Sequence, residues 1–321
     1  MDSTTIDINS EIQDKAFTTR QINFSNEISF HAPGLKSFNI AGFEQKNPKA
    51  FLPISLTGSG CALACDHCDS KILEPMLPLN PREGLFAMCE RLAKAGTEAV
   101  LISGGSQKNG QVPFMKHIHD ITRVKKELGL KIIMHTGLVD EAMAKGLKNA
   151  GVDGVALDII GANETIREVY HLKSTVKDYD RSLSLLSKYG LSLRPHIIIG
   201  LHYGKILGEY KALDMISKYQ VHALILVILT PLHDTPMRGV TPPDTEEVSA
   251  FFQQSRIQMP GTKILVGCAR PSGDYKRVVD LAAVDAGLNG IAYPAEGVIE
   301  HARSKGLVPK FFENSCSCGV D

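Results

Sequence analysis

The chain has 321 residues, of which 43% are hydrophobic and 22% are charged, so it can form one large domain or two smaller ones. Its 35 basic residues balance its 35 acidic residues, which excludes a bulk charge that would favour nucleic acid or an anionic membrane. No apolar run is long enough to span a bilayer and the first residues lack a signal-peptide pattern, so we expect a cytoplasmic protein.

Residues 1–50 are polar and mixed, and we interpret them as an N-terminal extension packed around the main domain. From residue 51 to 305, short runs rich in Val, Ile and Leu alternate with amphipathic stretches. The runs predict buried parallel strands at 52–57, 99–103, 131–135, 154–158, 193–199, 222–229, 263–267 and 290–293. The stretches predict helices at 82–95, 113–128, 138–149, 176–189, 207–219, 244–257, 274–286 and 295–305.

Eight such strand–helix pairs predict an α/β fold, a (βα)8 barrel of the TIM type, with residues 306–321 as a C-terminal tail. A doubly wound open sheet is the alternative, because a sequence does not show whether a sheet closes. In a barrel of this kind the chemistry is expected at the C-terminal ends of the strands.

Three cysteines follow the first predicted strand with C-x3-C-x2-C spacing: Cys61, Cys65 and Cys68. In a reducing compartment, cysteines are better metal ligands than disulfide partners. Three thiolates suit a [4Fe–4S] cluster, because one iron then stays open for another ligand. A structural zinc site would normally have four protein ligands.

This motif resembles the signature of the radical S-adenosylmethionine (SAM) enzymes. The resemblance implies that the three cysteines hold a cluster that binds SAM. It also implies that Ser103, Gly104 and Gly105, after the second strand, contact the methionine part of SAM. His67 stands where the superfamily usually has an aromatic residue, and its planar ring can stack in the same way; cluster ligation by His67 is the alternative.

Further strand ends are expected to contact SAM or substrate. The resemblance implies that residues 200–209, with Gly200 and Glu209, lie against the adenine, although Glu209 also suits the first turn of a helix. Asp158 ends the fourth strand, where it can bind a ribose hydroxyl or cap the following turn. Among several histidines near strand ends, His135 and His202 are the candidates for contacting substrate.

Three more cysteines suggest a second metal site. Cys268 closes the seventh strand, and Cys316 and Cys318 lie in the tail. If the tail folds across the barrel, these thiolates predict an auxiliary [4Fe–4S] cluster; core packing and a surface thiol pair are the alternatives. The fourth ligand stays open among Ser315, Ser317, Arg270 and a non-protein sulfide. Cys89 is predicted to be a buried structural thiol.

A closer resemblance rests on residues 30–61, 68–74, 102–105, 135–140, 169–172 and 200–202, on Cys-x-Arg-Pro at 268–271 and on the paired tail cysteines. These segments resemble the second-type subunit of the two-component lipoyl synthases. The resemblance implies that sulfur from the auxiliary cluster is inserted into the octanoyl chain of a lipoyl carrier protein. It also implies a companion radical SAM subunit and an electron donor such as ferredoxin or flavodoxin.

Two alternatives stay open at this point. One is biotin-synthase-like sulfur insertion into a free small molecule. The other is a non-catalytic partner subunit that binds an iron–sulfur cluster or zinc. A conventional lipoyl synthase is disfavoured, because it carries an additional N-terminal cysteine triplet and this chain has no cysteine before Cys61.

Overall fold

The computed structural model describes residues 3–34 and 36–318, with side chains from residue 11 onward. Residues 1, 2 and 35 of the predicted N-terminal extension and residues 319–321 of the predicted tail lie outside the described residues. Within the described part, no helix has the length and apolar character needed to cross a bilayer.

The strands are β1 Glu27–His31, β2 Asn39–Ile40, β3 Phe43–Glu44, β4 Phe51–Ser55, β5 Leu77–Pro78, β6 Ala99–Ser103, β7 Lys131–His135, β8 Gly154–Asp158, β9 Leu193–Ile199, β10 Ala223–Ile228, β11 Lys263–Val266, β12 Gly290–Ala292 and β13 Val308–Phe312. The α-helices are α1 Ser3–Asn23, α2 Leu85–Lys94, α3 Ile118–Arg123, α4 Glu141–Ala150, α5 Asn163–Glu168, α6 Val176–Lys188, α7 Glu209–Ile216, α8 Thr245–Gln258, α9 Asp274–Asp285 and α10 Val298–Ser304. A π-helical turn, Val124–Leu128, extends α3, and short 3-10 turns cover Lys71–Leu73 and Phe114–His117.

Eleven strands form one parallel sheet in the order β13-β1-β12-β11-β10-β9-β8-β7-β6-β4-β5. All eight predicted strands are present, and each of the eight predicted helices has a helical counterpart. The predicted α/β barrel is therefore confirmed in a partial form: within the described residues, the edge strands β13 and β5 are not paired with each other.

Two strands come from segments that the sequence assigned to the extension and the tail. β1 pairs with β12 and β13, so both segments belong to the sheet. The alternation in β1 explains why it is hard to predict: Ile28 and Phe30 face the core, whereas Ser29 and His31 face a polar interior. A short alternating strand lacks the continuous apolar run that marks a strand with two apolar faces.

The two faces of the sheet have different surroundings. Side chains such as Val100, Ile102 and Ile132 pack with the helices in one large hydrophobic core. On the inner face, a separate small cluster joins four strands to the tail: Phe51, Ala99, Ile133, Ala156, Cys316 and Cys318. The tail therefore crosses the inside of the barrel, and we call the space enclosed by the inner face the lumen.

The tail enters beside the open edge of the sheet. The Glu313 carboxylate accepts hydrogen bonds from the main-chain amides of Lys46 and Asn47, just before β4. Asn314 then donates to the carboxylate of Glu98, just before β6, at 2.8 Å. These contacts join β13 to the opposite edge of the sheet and direct the residues that follow into the lumen.

Candidate active site

The cysteine loop, residues 56–70, leaves β4 and brings three thiols together. The Cys65 thiol and the Cys68 sulfur share a hydrogen bond, which holds the pKa of Cys68 well below its usual range. The same bond raises the pKa of Cys65, and burial and the nearby sulfurs of Cys68 and Cys61 raise it further. The Cys61 Sγ lies 3.8 Å from the main-chain oxygen of Ser106, the residue that follows the two glycines after β6. Three convergent sulfur donors without a fourth protein ligand fit a [4Fe–4S] cluster that has one open iron.

The backbone of this loop is strained. Among the described residues, seven non-glycine residues have positive φ, and five of them lie in the loop or contact it: Ala64, Asp69, Ser70, His171 and Tyr203. Such left-handed conformations cost free energy and persist where surrounding contacts impose them. The concentration of strain at the three thiols indicates a site built for binding.

Asp66, between Cys65 and His67, holds the cysteine loop in place. Its carboxylate accepts hydrogen bonds from His171 Nε2 at 2.7 Å and from the Tyr203 hydroxyl at 2.6 Å. Its main-chain amide donates to the carbonyl of Val169 at 2.9 Å. Asp66 therefore ties the loop after β4 to the segments after β8 and β9.

We expect Asp66→Ala to loosen the cysteine loop. Two hydrogen bonds to a charged, half-buried carboxylate are lost, which should lower the free energy of unfolding by about 2 kcal/mol. Iron should also leave the anaerobically purified protein faster in the presence of a chelator. Glu74→Gln, which removes an exposed carboxylate close to the same loop, is the control. Equal iron retention in the two variants would contradict the role of Asp66.

The two glycines after β6 pack against the cysteine loop. A Cβ on Gly105 would lie 2.0 Å from the oxygen of Gly60 and 2.6 Å from the Cα of Cys61, so no side chain fits there. The Gly105 amide donates to Thr57 Oγ1 at 2.7 Å. The neighbouring Ser103 hydroxyl donates to the carbonyl of His135 at 3.1 Å. The strand end is therefore held close to the thiols, where the sequence predicts the methionine part of SAM.

On the other side of the thiols, two rings carry buried polar atoms that lack a partner. The rings of His67 and Tyr170 lie 5.1 Å apart, and His67 also hydrogen-bonds Cys68. The His67 Nδ1 and the Tyr170 hydroxyl have no hydrogen-bond partner within the described protein. Buried polar groups are normally satisfied, so these two atoms fit a ligand bound beside the cluster. They support the predicted SAM-binding role of His67.

Deeper in the lumen lie Asp158, His135 and His196, on the neighbouring strands β8, β7 and β9. His135 Nε2 is 3.6 Å from the Asp158 carboxylate, and the two imidazole rings are 5.5 Å apart. Burial alone would raise the pKa of Asp158, but His135, followed by His196 and His67, lowers it to about 2. Burial and the nearby His135 lower the pKa of His196 to about 4. Asp158 is thus ionised and His196 neutral near pH 7.

The loop after β9 contains the remaining predicted contacts. The buried Glu209 carboxylate accepts four main-chain hydrogen bonds, from residues 200, 201, 207 and 208, so in this structure it holds the loop. Gly200 has a φ of 78°, and a Cβ at this position would lie 2.5 Å from the ring of Pro243. The His202 ring lies 3.3 Å from Thr165 Oγ1 and 3.8 Å from the Glu168 carboxylate, both of which belong to α5. The contacts of these three residues with SAM or substrate stay predictions.

Two of the predicted auxiliary ligands lie together in the lumen, and the third is near enough to affect their thiols. Cys316 and Cys318 are buried and share a hydrogen bond. This bond and burial raise the pKa of Cys318, and the nearby Cys268 adds to the effect. The Cys268 side chain has exposed surface, yet burial raises the pKa of its thiol. It therefore faces an internal space rather than bulk solvent. All seven cysteines are free thiols, and Cys89 is buried in α2 as predicted.

Sequence reasoning assigned no role to Asp66, Tyr170 or His196. Asp66 was overlooked although it lies between two ligands of the motif. Tyr170 reaches the thiols from about a hundred positions further along the chain, which no local pattern reveals. His196 sits in an apolar strand, where a single histidine usually makes an ordinary hydrogen bond.

The chain resembles known proteins over most of its length. A family model described as the Radical SAM superfamily matches residues 55–207. "Biotin synthase 2" of Polaromonas sp. is 24% identical over 245 residues, which cover 75% of this chain and 70% of that protein. "Biotin synthase" of Sorangium cellulosum is 23% identical over 252 residues, which cover 75% of this chain and 69% of that protein.

Solved structures show the same fold at lower sequence identity. Methylornithine synthase superposes with a TM-score of 0.64 at 16% identity, over 94% of this chain and 88% of that chain. The FeFe-hydrogenase maturase HydG from Carboxydothermus hydrogenoformans superposes with a TM-score of 0.64 at 15% identity, over 94% of this chain and 71% of that chain. Residues 55–207 therefore match the radical SAM superfamily, and the chain as a whole shares the fold of these structures and has a distant similarity to the biotin synthases.

Proposed function

We propose that this protein inserts sulfur into an unactivated carbon, and that its substrate is the octanoyl chain of a lipoyl carrier protein. The observation that carries the proposal is the placement of Cys316 and Cys318 on the inner face of the sheet, close to His135, whose partner Asp158 is in turn close to His67 of the cysteine loop.

The residues of this chain can hold the groups that the reaction needs. Cys61, Cys65 and Cys68 would hold the [4Fe–4S] cluster, which together with SAM supplies a 5′-deoxyadenosyl radical that removes a hydrogen atom from the substrate carbon. Cys268, Cys316 and Cys318 would hold the auxiliary cluster, which would supply the sulfur atom as sulfide, with its irons taking up the electron released when the carbon–sulfur bond forms. The imidazole and carboxylate of the His135–Asp158 pair lie in the lumen between these two sets of thiols, where they can orient a polar group of the substrate.

The lumen is suited to radical chemistry. Its inner wall near the tail consists of the apolar side chains of Phe51, Ala99, Ile133 and Ala156, with Leu101 beside them. Such a wall excludes water and would be compatible with an alkyl chain beside the tail. Dry surroundings matter because they prevent side reactions of a reactive intermediate.

The carrier-bound substrate has one further support at the surface. A groove of about 710 Å³ runs beside the cysteine loop, lined in part by Ala62, Leu63, Lys108 and Lys173. It can receive an acyl chain that extends from a larger molecule. Its lining carries two lysines against one carboxylate, Asp178, and this small excess of positive charge would favour a carrier with negative charge.

The alternative substrate is a free small molecule, as in a biotin-synthase-like reaction. It is favoured by the similarity to biotin synthases, which supports this alternative more directly than it supports an octanoyl substrate. Both alternatives share sulfur insertion and the two sets of thiols. They differ in what enters the lumen.

The test is anaerobic incubation of the reconstituted protein with SAM, a reductant and one of two substrates, followed by mass spectrometry. We expect an octanoyl-lysine peptide of the carrier to gain one sulfur atom, with 5′-deoxyadenosine as the co-product. A gain of sulfur only by the sulfur-free precursor of biotin would replace the octanoyl proposal by the alternative. The companion subunit is added in a parallel reaction, to show whether this chain acts alone.

Metal analysis is the accompanying measurement, because it also addresses the non-catalytic alternative. About eight irons with matching sulfide per chain are expected for two [4Fe–4S] clusters, and about four for one. One or two zinc ions in place of iron would contradict radical chemistry in either form.

A further inference from the structure

The auxiliary site has three cysteines and lacks an assigned fourth ligand. Of the candidates in the sequence, Arg270 is fully engaged: it donates to Asp280 at 2.6 and 2.9 Å and to the carbonyls of Gly267, Ala292 and Tyr293. Ser315 is buried, with its hydroxyl 2.9 Å from His31 Nδ1. Both side chains already have hydrogen-bond partners, whereas Ser317 and a non-protein sulfide stay open, and the lumen offers one further candidate.

His196, on the inner face of β9, is presented to the tail. Its Nδ1 is 3.0 Å from the carbonyl oxygen of Arg194, and its Nε2 is 3.4 Å from the Cys318 Sγ. A carbonyl only accepts hydrogen bonds, so Nδ1 carries the proton and the Nε2 lone pair points at the thiol. Metal-binding histidines are commonly oriented in this way, with the other ring nitrogen donating to a main-chain carbonyl.

β9 also holds the main chain of the tail. Arg194 lies two residues before His196 on the same inner face, and its guanidinium donates to the carbonyl oxygen of Cys318. Gly154 on β8 makes room for this arginine, because a Cβ there would lie 2.4 Å from the Arg194 Nε. Cys318 is thus fixed by two contacts with β9, through its carbonyl and through its sulfur.

We propose that His196 Nε2 is the fourth protein ligand of the auxiliary cluster, beside Cys268, Cys316 and Cys318. The inference rests on the proposed function, because it requires an auxiliary cluster. The hydrogen bond between Cys318 and His196 marks the two donor atoms, and metal binding releases the thiol proton that they share.

One competing arrangement uses the same imidazole. His135, Asp158 and His196 offer donor atoms that all lie within 4.8 Å of one another, which would suit a single metal ion. In that arrangement Cys316 and Cys318 would not be metal ligands. The two arrangements differ in whether nitrogen is coupled to a cluster and in which side chains retain the iron.

The test uses protein in which Cys61, Cys65 and Cys68 are all alanine, so that only the auxiliary cluster can form. After anaerobic reconstitution and reduction, pulsed electron paramagnetic resonance should detect one strongly coupled nitrogen, and ¹⁵N-histidine labelling should change that signal. His196→Ala should abolish the coupling and lower the iron content. His135→Ala, which removes a neighbouring imidazole from the same lumen, should keep both.

His196→Cys controls for the possibility that His196→Ala loses iron only because it does not fold. This variant should retain about four irons per chain and lose the nitrogen signal. A cluster without nitrogen coupling before any His196 change would overturn the inference and leave the proposed function standing. Absence of any cluster would overturn both. About one iron without sulfide, lost on His135→Ala or Asp158→Asn, would assign the histidines to a single ion and overturn the inference.

Discussion

Replacing Cys316 and Cys318 with alanine should abolish formation of the thiolated product while SAM is still cleaved to 5′-deoxyadenosine. The tail thiols lie in the lumen away from the cysteine loop, so the loop and its hydrogen bonds through Asp66 stay intact. The amounts of 5′-deoxyadenosine and of sulfur-containing product, measured in the same reaction, separate the two steps. Iron should fall from about eight to about four per chain.

Cys89→Ala is the matched control for this double variant. It also removes a buried thiol, but from α2 on the outside of the sheet, and should leave both products unchanged. Thiolated product from the Cys316→Ala/Cys318→Ala protein would show that the sulfur comes from another source. The placement of the tail would then be structural only.

Alanine at Cys61, Cys65 or Cys68 should stop both steps. Each thiol supplies one of three ligands, and with two ligands left the cluster lacks the single open iron at which SAM binds. We expect 5′-deoxyadenosine to fall to the background of a reaction without protein. About four irons per chain should remain, bound by the tail site.

The residual iron makes this result informative. If a Cys68→Ala protein loses all its iron, the second site does not form independently and the two clusters depend on each other. If it still releases 5′-deoxyadenosine at the wild-type rate, the cysteine loop is not the SAM site. Thr57→Ser, which keeps the hydroxyl that accepts from Gly105, is a control for mild changes in the same loop.

The sequence was sufficient for the strands with two apolar faces and for the helices between them. It was insufficient for β1 and β13, and the reasons are physical. β1 places Ser29 and His31 in the polar lumen, so its pattern alternates. β13 is an edge strand with Pro309 and Lys310, residues that interrupt a strand pattern and protect an edge.

The candidate site shows the same division. The cysteine loop and the two glycines are local patterns in the sequence. In the structure the glycines after β6 lie against the loop, beside Cys61. By sequence, Glu209 suits a ligand contact and a structural role equally well. The four hydrogen bonds that its carboxylate accepts from main-chain amides become visible only in the fold. His196 becomes notable only because a tail from the far end of the chain reaches it. Contacts between distant segments leave no periodic signal in a sequence.

The crossing of the lumen by residues 313–318 also sets an order of maturation. During translation the ligands after β4 emerge when most of the barrel is still to be made, so a first metal centre can begin to assemble early. Cys316 and Cys318 leave the ribosome only after β13, the last described strand. Iron and sulfide for the proposed second centre would therefore be delivered to a chain whose described strands have all been synthesised.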